Sequence, residues 1–260
     1  MKTEDEINIT ISGWPGGGTT SLSLLLSILL QWQYLNIGWV FREVGKKLGY
    51  SEEGTTRTQF DEFIEPIIGA TIDNYSDHKL LNESQIILES DLAGFRLGKH
   101  PKVYSIFLKT EQKERISRVS REGRQNAVAV LKERDKILQQ KYQQMWGIDI
   151  FDEQLIERRF NLVIDNTKIN LETELHNILE ALKNYPQLKG SYNWETIQAS
   201  VNKEVANLLK EGKAHLKNRL KKSGLLINTE SVILEVTKLF PEDVMQFPEN
   251  IQSIFLGQQT

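Results

Sequence analysis

The chain has 260 residues, 39% of them hydrophobic and 26% charged, which suits one α/β domain with an appendage, or two small domains, and excludes wholesale disorder and fibrous repeats. A net charge of −3 gives no support to bulk nucleic-acid binding. With no cysteine, disulfides, thiol nucleophiles and Cys-ligated metal centres are excluded.

In chain order, Ile7, Ile9 and Ile11 alternate with polar residues and predict a strand that ends at a glycine cluster. TTSLSLLLSILLQW then predicts a helix with Leu22, Leu25, Leu26 and Leu29 on one face. Residues 34–37 read as a second strand, and VFREVGKKLG as a helix burying Val40, Phe41, Val44 and Leu48. Residues 50–84 are polar and read as helix in pieces. QIILE, VYSIFL and NLVID predict three more strands, separated by charged helices at 111–123 and 126–146. Asn170 is placed to cap a helix carrying Leu171, Leu175, Ile178 and Leu182. Strands alternating with helices imply a parallel sheet. The pattern stops near 185–190, where a domain boundary is expected, and residues 191–260 read as helices only. The N-terminal MKTEDEINIT lacks an apolar signal core, and the longest apolar stretch, 22–30, is too short for a bilayer. A cytoplasmic protein without a membrane partner is expected, as a monomer or weak oligomer.

The sharpest motif is Gly13-Trp14-Pro15-Gly16-Gly17-Gly18-Thr19-Thr20. It matches the phosphate-binding pattern of Gly, four residues, Gly, Lys, then Ser or Thr, except that Thr19 replaces the lysine. Glycines bring backbone N–H groups close to an anion, and the following helix start favours negative charge. The Thr20 hydroxyl suits a Mg²⁺ shell. The alternative is a glycine-rich turn without a ligand; the flanking strand and helix favour the nucleotide site.

On these residues, together with LNIGWVFREVGKKLG, IILESDLAG, KERD, YQQMWGIDI and LVIDNTK in that order, the chain resembles the cytidylate kinases, most closely their archaeal-type branch. The resemblance spans about residues 5–183. It implies an α/β nucleoside-monophosphate kinase fold with a five-stranded parallel sheet, an NMP-binding region at about 38–82 and a lid at about 121–150. A kinase-like domain over 1–188 and a helical C-terminal extension over 189–260 follow from it. The implied reaction moves the γ-phosphoryl group of ATP, with Mg²⁺, to CMP or dCMP.

By resemblance, Arg42 grips the acceptor phosphate, with Arg121 and Arg134 as catalytic lid cations. Residues 13–20, with Asp165 and Thr167, would hold ATP. Asn36, Arg42, Asp91 and Asp135 would bind the acceptor, and Thr20 and Glu89 the metal. Taken singly, each of these charges also reads as a solvated helix face or strand-end acid. The chain departs from the family where Asp91 replaces an arginine, where Asn36 and Trp39 replace Ser and Asp, where Gln139 and Lys141 replace lid arginines, and where 64–79 lacks an arginine pair. Arg96 is one possible substitute. These losses leave open a non-catalytic nucleotide-binding module, or a kinase for another small acceptor.

In the C-terminal part, Val201, Val205, Leu208, Leu209, Leu216 and Leu220 follow helical spacing. Lys210, Lys213, Lys217, Arg219, Lys221 and Lys222 form a basic cluster that reads either as a solvated helix face or as a contact for an anionic partner. A last helix is expected at 229–240, entered at Asn228 and stopped by Pro241.

Overall fold

The structure, a computed structural model, describes residues 7–47, 65–123 and 126–238. Leu48, the stretch 50–64 and the end of the last expected helix lie outside them.

The five apolar runs form one parallel sheet: β1 (Asn8–Gly13), β2 (Gln33–Asn36), β3 (Ile86–Glu89), β4 (Val103–Lys109) and β5 (Leu162–Asp165), in the order β2-β3-β1-β4-β5. β1 is central and all six of its residues are buried, polar ones included, because helices cover both faces of such a sheet. Its polar side chains are therefore put to use. Asn8 Nδ2 donates to Leu80 O and Glu83 O, each at 2.7 Å, and Asn8 Oδ1 accepts from Ile86 N.

α1 (Thr19–Leu30) follows β1 and is buried from Leu22 to Leu30. One apolar stripe was expected. The helix is enclosed all round because a long C-terminal helix covers its outer side. α2 (Ile37–Lys47) starts at the residue expected to end the strand, three residues before the expected helix start at Val40. Asn36 Oδ1 accepts from Trp39 N at 2.9 Å, which starts the helix at Ile37 and takes that residue out of β2. Of the stretch 50–84 expected to be helix in pieces, the described part holds one helix, α3 (Glu65–Asn82). α4 (Ala93–Leu97), α5 (Gln112–Arg121), α6 (Ala127–Trp146) and α7 (Glu153–Arg159) lie between β3 and β5. α8 (Leu171–Lys183) is capped as expected: Asn170 Oδ1 accepts from Thr173 N at 2.8 Å.

α9 (Trp194–Lys222) breaks at Gly212, whose φ of 79° is left-handed. Val201, Val205, Leu208, Leu216 and Leu220 are buried against the sheet and α1, in one core with Leu22, Leu25 and Leu29. Leu209 is a correction, since it is 78% exposed. At 100° per residue it lies well off the Val201–Leu208 face, and the Gly212 break lets the chain re-aim for Leu216. α10 (Thr229–Thr237) is capped by Asn228, as expected, and packs Val232, Ile233 and Val236 on α2 and α3. A third core, around Trp14, Phe95, Phe107, Tyr142 and Phe160, joins α4, α6 and α7 to the sheet.

Candidate functional site

β1 delivers its glycine loop to the C-terminal edge of the sheet, between β3 and β4. Gly18, at φ +103°, lets the chain turn into α1, and no side chain caps that helix start. Gly17 is needed for space: an added Cβ would lie 2.8 Å from Trp14 O, the carbonyl that accepts from Gly17 N. The Trp14 ring does not fill the loop. It is buried flat against Phe151 and edge-on to Phe107, and its Nε1 donates to Ile150 O at 2.9 Å.

Strand register sets Asn36, Glu89 and Ile11 level on β2, β3 and β1. Glu89 thus meets the helix start. Thr19 Oγ1 and Thr20 Oγ1 donate to its Oε1 at 2.9 and 2.7 Å. Tyr34 OH and Asn36 Nδ2 donate to its Oε2. Burial pushes the Glu89 carboxyl up, the hydroxyls of Thr20, Tyr34 and Thr19 pull it back, and Asp91 raises it further. All four donors are neutral. An anionic oxygen beside two hydroxyls, placed under a phosphate-type loop, is a donor set that fits Mg²⁺.

The loop's far side is held by α5. Arg118 Nη1 donates to Gly17 O at 2.9 Å, and its Nη2 donates to Asn166 O at 2.7 Å. Asn166 Nδ2 also donates to Gly17 O at 2.9 Å, and its Oδ1 accepts from Thr110 Oγ1. Arg115, 3% exposed, donates to Pro15 O at 3.1 Å and grips both oxygens of Asp135 at 2.9 and 2.8 Å. Asp135 is thereby committed to Arg115 of α5. Asp165 Oδ1 accepts from Thr167 N, and these bonds hold its carboxyl below the usual range. Thr167 Oγ1 accepts from Glu111 N.

The other expected residues are less closely gathered. Arg121 pairs with Glu114 at 2.9 Å and is 67% exposed in its side chain. Arg134 lies 3.9 Å from Asp91. Arg42, on α2, faces Tyr34 with its charge. Arg96 is committed elsewhere: its Nε donates to Asp77 and its Nη2 to Asn74, each at 2.7 Å, with the guanidinium 3.7 Å above the Trp146 ring. Arg96, Asp77, Trp146, Arg158 and Arg159 line a cleft of about 500 Å³. Asp73 Oδ2, Asp77 Oδ1 and Arg96 Nη1 are buried without a hydrogen-bond partner among the described residues. Burial raises Asp73 to about 7 against the pull of Arg96.

Sequence reasoning missed Tyr34, Asp73, Asp77 and Arg115. Arg115 had a signal, because it shares a helix face with Val119, four residues on. For Tyr34 the strand pattern carried none.

No protein-family model matches the chain. It is 32% identical over 170 residues to a cytidylate kinase of Methanosarcina acetivorans, covering 63% of this chain and 89% of that protein. A cytidylate kinase of Methanococcus vannielii is 31% identical over 180 residues, 66% of this chain and 97% of that one. One from Saccharolobus islandicus is 26% identical over 186 residues, 69% and 92%. Among solved structures, a shikimate kinase from Acinetobacter baumannii aligns with a TM-score of 0.41 at 15% identity, over 67% of this chain and 92% of its own.

Proposed function

Because the chain belongs to the cytidylate kinase family, we propose that it moves the γ-phosphoryl group of ATP to CMP or dCMP. The observation that carries this reading is the couple between the glycine loop and Glu89: a cradle of backbone amides with a buried carboxylate bonded to both hydroxyls at the helix start. Bound Mg²⁺ would neutralise charge shared by the phosphates. The protein's own part is to hold two anions in line. Residues 13–20 would take the donor phosphates, with Arg118 and Asn166 keeping Gly17 in place. Arg42 would take the acceptor phosphate bidentately, and Arg134 would reach the transferring group on leaving Asp91.

The second reading, a non-catalytic nucleotide-binding module, is favoured by the pairing of Arg115, Arg121 and Arg134 with Asp135, Glu114 and Asp91. Incubation with MgATP and each nucleoside monophosphate separates the two. CDP or dCDP formation is expected, with Arg42→Ala raising the acceptor KM about ten- to hundredfold. Thermal stabilisation by ADP without any diphosphate product supports the module instead. Product from a different acceptor overturns the base assignment alone.

A further inference from the structure

β2 is an edge strand, yet its outer edge is covered by the chain that joins α9 to α10. Tyr34 N donates to Leu225 O at 2.7 Å, and Ile227 N donates to Tyr34 O at 3.0 Å. The two bonds bracket one parallel bridge, from Tyr34 to Leu226. On its other side Tyr34 is in register with Ile87 of β3. Its backbone is therefore clamped from both flanks, which fixes the face on which its ring lies. The ring stands edge-on to Trp39 at 5.4 Å, and Lys217 of α9 sits 3.9 Å above the Trp39 ring. α10 secures the same region from below. Val232, Ile233 and Val236 share a core with Leu35, Val40, Val44 and Ile72, and Tyr75 OH donates to Glu235 Oε2 at 2.6 Å.

The clamped residue is the one whose hydroxyl reaches Glu89. Tyr34 OH donates to Glu89 Oε2 and accepts from Asn36 Nδ2 at 3.0 Å, while Glu89 Oε1 receives Thr19 and Thr20. A carboxylate with four neutral donors has one orientation in which all are satisfied. Removing the Tyr34 donor leaves Asn36 Nδ2 alone on Oε2, so the carboxylate whose Oε1 meets the loop is held less firmly.

We propose that Tyr34 is a positioning residue that holds Glu89 for the metal-nucleotide, and that the C-terminal segment 225–237 serves the site through Tyr34. This rests on the kinase reading above. It gives the C-terminal extension a task within the reaction, beyond covering the sheet.

The test uses the full chain and isothermal titration with ADP, in Mg²⁺ and in EDTA. In Tyr34→Phe the ring and the backbone clamp remain, so the melting temperature should stay close to that of the parent. The gain in ADP affinity that Mg²⁺ gives should fall about tenfold or more, with affinity in EDTA unchanged. Turnover should lose kcat with acceptor KM retained. Ile227→Pro deletes the N–H that Tyr34 O accepts and should reproduce the selective loss; Ile233→Ala serves if the proline chain does not fold. In a Tyr34→Phe background neither should add to it. A Tyr34→Phe protein with the parent's Mg²⁺-linked affinity overturns the role of Tyr34. A C-terminal variant equally harmful in that background overturns the coupling. A parent with no Mg²⁺-linked nucleotide affinity at all overturns the kinase reading, and the inference with it.

Discussion

Glu174 stands in the first turn of α8, where its charge favours the helix, yet it is 4% exposed and its Oε1 has no partner among the described residues. Burial raises its carboxyl to about 7, against the bond from Asn166 and the charge of Arg118. An unfolded glutamate releases its proton near 4.5. Between those values the folded chain holds a proton that the unfolded chain has lost. Stability therefore falls as pH rises through that window and is level above it, by about 3 kcal/mol in all. Glu174→Gln keeps an oxygen for Asn166 and removes the titration. It should be the more stable protein at pH 8 and lose one step from the pH profile of urea unfolding; Asp73, also raised to about 7, leaves the remaining slope. An unchanged slope would refute the assignment. At this scale the strand-end position of Glu89 sets it beside the loop, where it accepts from Thr19 and Thr20. The resemblance named Arg121 as a lid cation, whereas the arginine of that helix that bonds the loop is Arg118. Three residues apart on α5, they point about 60° apart, so one meets Gly17 O and the other meets solvent.

α4 is five residues long, and its place depends on a close approach. A Cβ on Gly94 would lie 2.2 Å from Phe160 Cε1. Phe160 cannot swing aside, since it packs edge-on to Phe95 at 4.9 Å and touches Phe107 at 5.1 Å. Gly94→Ala should cost about 1–3 kcal/mol in denaturant unfolding. It should also weaken the Arg96–Asp77 pair, because Arg96 rides on the same helix. A variant as stable as the parent would mean that the helix can shift without penalty. Caps behave more simply. Asn170→Ala should cost about 1 kcal/mol by the same measurement, as the Thr173 N–H loses its acceptor. Both caps, Asn170 and Asn228, are legible in the sequence because a cap needs only its own next turn. The start of α2 was misplaced by three residues, because there the cap is the last residue of a strand.

Across the molecule, α9 lies in the same core as α1, α8 and the sheet. Leu216 is fully buried in it, and Leu216→Ala should cost about 2–5 kcal/mol. If that core is one cooperative unit, the whole unfolding curve shifts together, whether followed by the fluorescence of Trp32, Trp194 and the other tryptophans or by helix content. A separate early transition for the C-terminal helices would contradict this. The sequence by itself determined the strand, glycine loop and helix at the N-terminus, the parallel sheet, and the helices between Trp194 and Thr237. Each of these rests on periodicity or on residues adjacent in the chain, which fix local backbone geometry. Only the tertiary structure decided which charges meet. Glu89 takes donors from 53 to 70 residues away, Asp135 closes on Arg115 across 20 residues, and Tyr34 is clamped by a segment nearly 200 residues later. Such pairs follow from strand order and helix rotation, and neither is written in the spacing of any one segment.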